Sequence, residues 1–129
     1  MTKKKILVVD DEREIVTNLC MALEMKGYEA LTAFDGQEAL DVARKEMPDL
    51  VLLDIVMPKL NGYQVCRELK KSETTKSIPI LMLTAKTQES DVFWGKETGA
   101  DEYIKKPFDL ADLLERIGVF LEKKEQNKK

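Results

Sequence analysis

Five polar residues stand just past short apolar runs. Asp10 and Asp11 follow Ile6-Leu7-Val8-Val9, Asp54 follows Leu50–Leu53, and Thr84 follows Ile80–Leu83. Lys106, directly before Pro107, comes shortly after Glu102–Ile104. If they meet, three carboxylates, a hydroxyl and an ammonium can do specific chemistry. Clustered carboxylates repel one another, so ionising all three calls for a cation. Hard oxygen ligands suit Mg2+, which keeps several waters and takes only one or two carboxylates. A Mg2+ beside Lys106 and Thr84 would make a pocket for a phosphoryl group, its oxygens neutralised by metal and ammonium and hydrogen-bonded by the hydroxyl. Asp54 is then both a ligand and a candidate nucleophile, because carboxylates form acyl phosphates.

Only a particular set of elements brings such residues together. Apolar runs alternate with amphipathic stretches as five β-α units. Strands are expected at Ile6–Val9, Tyr28–Ala33, Leu50–Leu53, Ile80–Leu83 and Glu102–Ile104. The first helix, Glu12 to Lys26, carries Ile15, Leu19 and Leu23 at helical spacing and ends at Gly27. Asp35 opens the second through a capping-box-like start, with Ala39, Leu40 and Ala43 inward. The third spans Asn61 to Lys71, with Val65 and Leu69 inward. A short helix over 88–98 holds Phe93 and Trp94, of which one faces the core. Asp109 caps the last, with Leu110, Leu113, Leu114, Ile117 and Leu121 on one stripe.

Regular alternation implies an α/β fold, a parallel sheet with helices on both faces. The runs ILVV, LVLL and ILML are apolar on both faces and belong in the middle; YEALTA and EYI are mixed and belong at the edges. With right-handed crossovers the strand order is 2-1-3-4-5, the flavodoxin-like, doubly wound arrangement. Ligands of such sheets bind beyond the carboxyl ends of the strands, where all five polar residues fall. The expectation is a single domain over 1–129, with its core at about 4–122 and a polar, frayed tail over 123–129.

Composition removes rival chemistries. The 129 residues include no histidine, so His-based triads and His-ligated zinc are excluded. Cys20 and Cys66 are too few for a zinc site or a disulfide framework and read as reduced, buried thiols. A net charge of -3 argues against direct nucleic-acid binding by bulk electrostatics. No run reaches the ~18–20 apolar residues of a membrane span, and the N-terminal apolar stretch is too short for a signal peptide. The expected location is the cytoplasm. The turn VVDDERE has no glycine, so it lacks the amide cradle of a nucleotide site, and its acidity opposes a flavin phosphate.

Each residue alone has a plainer explanation. Asp11 with Glu14 is also a capping box, Asp54 could cap a turn, Thr84 is a common strand-end hydroxyl, and Lys106 could be a solvated surface lysine. Their convergence on one crevice favours a site. Tyr103 fits ordinary edge-strand packing as well as a functional role.

Asp10-Asp11, the segment Asp54-Ile55-Val56-Met57-Pro58 with Gly62, Thr84-Ala85 and Lys106-Pro107-Phe108 together resemble the receiver domain of bacterial two-component response regulators, of the stand-alone, chemotaxis-like type. The resemblance implies that Asp54 accepts a phosphoryl group from a histidine kinase or phosphotransfer protein. It implies that Asp11, Asp54 and the Val56 backbone carbonyl bind Mg2+ directly, with Asp10 acting through water. Lys106 would pair with the phosphoryl oxygens, Thr84 would move toward them, and Tyr103 would turn inward behind it. The face made by the helix over 88–98, the fifth strand and the last helix, including Val92, Lys96 and Tyr103, would then bind a downstream protein or self-associate. Such a chain is a switch and no enzyme, apart from promoting its own phosphorylation and dephosphorylation. Val56 and Lys86 fall where the family tunes phosphate lifetime, and wild type should lose its phosphate more slowly than Val56→Asn. Two alternatives stay open: a receiver cut from a longer DNA-binding regulator, and a Mg2+-dependent aspartyl-phosphate phosphatase, which would need a second acid where Val56 stands.

Overall fold

A computed structural model describes residues 3–55, 60–84, 99–106 and 108–127, apart from the side chains of Thr84 and of residues 123–127. Five parallel strands lie in the order β2-β1-β3-β4-β5. They are β1 (Lys5–Val9), β2 (Glu29–Ala33), β3 (Leu50–Asp54), β4 (Ile80–Thr84) and β5 (Glu102–Lys105). The described helices are α1 (Arg13–Met25), α2 (Gly36–Glu46), α3 (Gly62–Lys71) and the C-terminal α4 (Leu110–Asn127). The helix expected over 88–98, together with Val56, Ala85, Lys86 and Pro107, lies outside the described residues.

Side chains alternate across a strand, and the core divides accordingly. Leu7, Val9, Val51, Leu53, Ile80 and Met82 face α2 and α3, meeting Ala39, Leu40, Ala43, Val65, Cys66 and Leu69. Ile6, Val8, Leu50, Leu52, Leu81 and Leu83 face α1 and α4, meeting Val16, Leu19, Leu23, Leu113, Ile117 and Leu121. The three central strands are therefore buried on both faces, as parallel strands covered by helices must be. No described helix is long and apolar enough to cross a membrane.

Several details differ from the sequence reading. The buried row of α1 is Val16, Leu19 and Leu23, with Ile15 on its flank. Leu110 stays 40% exposed although its helical angle places it in the α4 stripe. It is the first residue of the helix, so its height along the axis decides its exposure. Cys66 is buried as expected, but Cys20 is only half-buried. The α4 backbone continues to Asn127, since Lys, Glu and Gln are good helix formers and no glycine or proline interrupts them.

Candidate functional site: an acidic crevice closed by a lysine

Parallel register sets the heights of the site residues. Val9 pairs with Leu53, so the next residues, Asp10 and Asp54, leave the sheet at one level. Asp54 pairs with Leu83, which brings Thr84 one step higher, and Thr84 pairs with Lys105, which brings Lys106 higher again. The strands thus form a staircase, and the long Lys106 side chain reaches back down it. Lys106 Nζ donates to Asp10 Oδ2 at 3.0 Å and to Asp54 Oδ1 at 3.1 Å.

Asp10 is fully buried and Asp54 nearly so. Asp10 Oδ1 accepts the Glu12 amide at 3.0 Å and so shapes the turn into α1. That helix has Glu12 as its N-cap and no side-chain capping bond, so Asp11 is not the cap its spacing to Glu14 offers. Asp11 is instead exposed at the rim, and oxygens of Asp10, Asp11 and Asp54 all lie within 4.8 Å of one another.

The charges are strongly coupled. Burial pushes the Asp54 carboxyl up to about 6, and the neighbouring charge of Asp10 adds to the rise; the Lys106 hydrogen bond and charge oppose it, and Asp11 raises it further. For Lys106, burial works to lower the pKa, but hydrogen bonds to Asp10 and Asp54 and their charges outweigh it, leaving the ammonium above its ordinary value. One ammonium against three carboxylates leaves two negative charges, which one divalent cation would balance. All the donors are hard oxygens, so this set fits Mg2+.

The sequence-nominated residues Asp10, Asp11, Asp54 and Lys106 thus come together. The Thr84 backbone closes β4 beside them. Tyr103 is half-buried on β5 and packs on the side of the sheet that carries α2 and α3. The Val56 carbonyl lies outside the described residues. Sequence reasoning overlooked Arg13, whose guanidinium lies 4.1 Å from the centre of the Phe34 ring and ties the start of α1 to the end of β2. No local motif signals a pair made by the first residue of one helix and the residue after a separate strand.

An open α/β sheet of this order, with an acidic crevice at the strand ends and a lysine reaching into it, defines a class of flavodoxin-like domains whose site is built to hold a divalent cation. Comparison with known proteins makes the class specific: residues 6–118 match the family model of the response regulator receiver domain, and the chain belongs to that family. It is 49% identical over 122 residues to the alkaline phosphatase synthesis transcriptional regulatory protein PhoP of Bacillus subtilis, covering 95% of this chain and 50% of that protein. The chain therefore spans about half the length of that relative. It is 44% identical over 117 residues to protein PilH of Pseudomonas aeruginosa, covering 91% of this chain and 97% of that one. Among solved structures it resembles a CheY-like response regulator receiver domain protein from Methanospirillum hungatei, with a TM-score of 0.92, 31% identity, and 98% and 99% of the two chains covered. Receiver domains are signalling switches of two-component systems that meet histidine kinases and downstream effectors, and the family generally uses Mg2+ at an acidic pocket.

Proposed function

We propose that this chain is a phosphorylation-driven switch in which Asp54 is the acceptor. The observation that carries the reading is the meeting of Lys106 with Asp10 and Asp54, beside a third carboxylate, at the end of the central strands. Asp11, Asp54 and the Val56 backbone carbonyl would hold Mg2+, with Asp10 assisting through water. When bound, Mg2+ neutralises phosphoryl oxygens and the repulsion among the carboxylates. An Asp54 oxygen attacks the phosphorus of a phosphohistidine on a kinase or phosphotransfer protein. The new oxygen–phosphorus bond forms as the phosphorus–nitrogen bond breaks, and the released imidazole is protonated from solvent. Lys106, already hydrogen-bonded to Asp54, is placed to follow the charge onto the phosphoryl group. Thr84 donates a hydrogen bond to the same group and Tyr103 turns inward. The face that includes β5 and α4 then changes and binds an effector or a second copy.

Incubation with acetyl phosphate and Mg2+, followed by intact-mass measurement, tests the reading. A phosphoryl adduct is expected on the wild type and not on Asp54→Ala; an unmodified wild type, or an equally modified variant, refutes it. The coverage of PhoP supports a second reading, that the chain is the receiver portion of a longer transcriptional regulator. The extent of the native reading frame decides between that and a stand-alone switch such as the PilH match suggests.

A further inference from the structure

The chain leaving β3 meets two glycines, each the first residue of a helix. A Cβ on Gly62, at the start of α3, would lie 2.5 Å from the Asp54 carbonyl oxygen and 2.8 Å from Ile55 Cα. A Cβ on Gly36, at the start of α2, would run into the carbonyl oxygen of Leu60 and lie 2.5 Å from its Cβ. Real Cβ atoms essentially never come within 3.0 Å of such neighbours, and most of these are backbone atoms that no rotamer change can move. The Gly62 amide also donates to the Ile55 carbonyl at 2.8 Å, closing the connection on itself. Leu60 packs, partly buried, on the cluster shared by α2 and α3. Gly36 is buried at the first position of α2, and Leu60 occupies the space a side chain there would take. The Asp35 cap is a separate matter, since its Oδ1 accepts the Glu38 amide.

We propose that Gly36 is a positioning residue for the acceptor site. By letting Leu60 lie against the start of α2, it sets where Gly62, two residues further on, packs against the Asp54 carbonyl and Ile55, although α2 contributes no group to the site. The proposal rests on the reading of Asp54 and its neighbours given above. A side chain at position 36 displaces Leu60, and the displacement passes through Asn61 to Gly62 and so to the Asp54 carbonyl and Ile55 that Gly62 touches.

The test is calorimetric titration of the metal-free full chain with Mg2+, for wild type, Gly36→Ala and Gly118→Ala. Gly118 lies within α4, and a Cβ there meets only Tyr28 Oη at 3.9 Å, so it controls for the general effect of replacing a helical glycine. Gly118→Ala should bind Mg2+ like the wild type, whereas Gly36→Ala should bind about tenfold more weakly while keeping its helical circular dichroism. If Gly36→Ala does not fold, Leu60→Gly, which removes the side chain that seats the connection, should show the same weakening. Wild-type affinity in folded Gly36→Ala, or in Leu60→Gly where the first variant is unfolded, overturns the proposal, as does an equal loss in Gly118→Ala. A wild type that binds no Mg2+ overturns the reading of the site itself, and this proposal with it.

Discussion

Lys106 Nζ stands 3.0 Å from Asp10 Oδ2, although 96 positions separate the two residues in the chain. Both oxygens of the buried Asp10 are engaged, Oδ1 by the Glu12 amide and Oδ2 by the ammonium. Asp10 thus anchors the lysine that also bonds Asp54. Lys106→Met would leave two buried carboxylates without a counter-charge. In chelator at pH 7 this variant should lose about 2–4 kcal/mol of stability, the cost of breaking a buried pair. Because a competing cation is gone, it should also bind Mg2+ more tightly, and saturating Mg2+ should restore most of the loss. Urea unfolding with and without Mg2+ measures both effects; equal stability in chelator would show that the contact holds nothing.

Asp54 gives the metal-free protein a pH dependence of known sign. Burial and the Asp10 charge raise its pKa to about 6, against 3.8 for the ordinary group. The folded state therefore holds this proton more tightly than the unfolded state. The resulting stability is present in full below about pH 4 and is lost as the pH rises through about 6. Asp54→Asn cannot release the proton. Relative to that variant, the wild type in chelator should lose about 1–3 kcal/mol between pH 4 and 7.5. Denaturant midpoints that run parallel for the two proteins over this range would contradict the prediction.

The start of α3 is fixed by a reciprocal cap. Asn61 Oδ1 accepts the Gln64 amide at 3.0 Å, and Gln64 Oε1 accepts the Asn61 amide at 2.9 Å. Asn61→Ala removes the first of these bonds and should cost about 1 kcal/mol. In a chain of this size that lowers Tm by about 3–5 °C, readable by circular dichroism. Gln64→Ala should cost less, since it leaves the Asn61 bond in place. An unchanged Tm in Asn61→Ala would mean that water replaces the cap at no cost.

The parts of this fold written in local pattern are the parts a reader of the sequence recovers. Doubly apolar runs place β1, β3 and β4 in the middle, and polar residues directly after them fall at the strand ends, so the convergence of Asp10, Asp54 and Lys106 is legible. The division of labour between Asp10 and Asp11 is not, because the turn that follows β1 decides which carboxylate is buried. The spacing of Asp11 to Glu14 even points to a cap, whereas Glu12 takes that place and Asp10 binds its amide. Cys20 sits on an apolar-looking stretch, yet it lies at the edge of the row made by Val16, Leu19 and Leu23 and stays half-buried. Contacts between a helix start and a separate connection, such as Arg13 on Phe34 and Gly36 against Leu60, have no local signature at all.

Asp11 differs from its two partners in being exposed, and this separates metal binding from folding. Asp11→Asn removes one charge at the rim and no buried contact, so in chelator its stability should stay within about 0.5 kcal/mol of the wild type. Its response to the ion should differ. A ligand that binds only the folded state stabilises it by about 2.7 kcal/mol at a hundred times its Kd. The wild type should show such a rise on addition of Mg2+, while Asp11→Asn, with one oxygen donor fewer and a weaker negative field, should show little of it at the same concentration. Thermal unfolding of both proteins in chelator and in Mg2+ gives the four values required. If Asp11→Asn gains as much as the wild type, Asp11 is no ligand and the site holds its ion through Asp54 and the residues behind it.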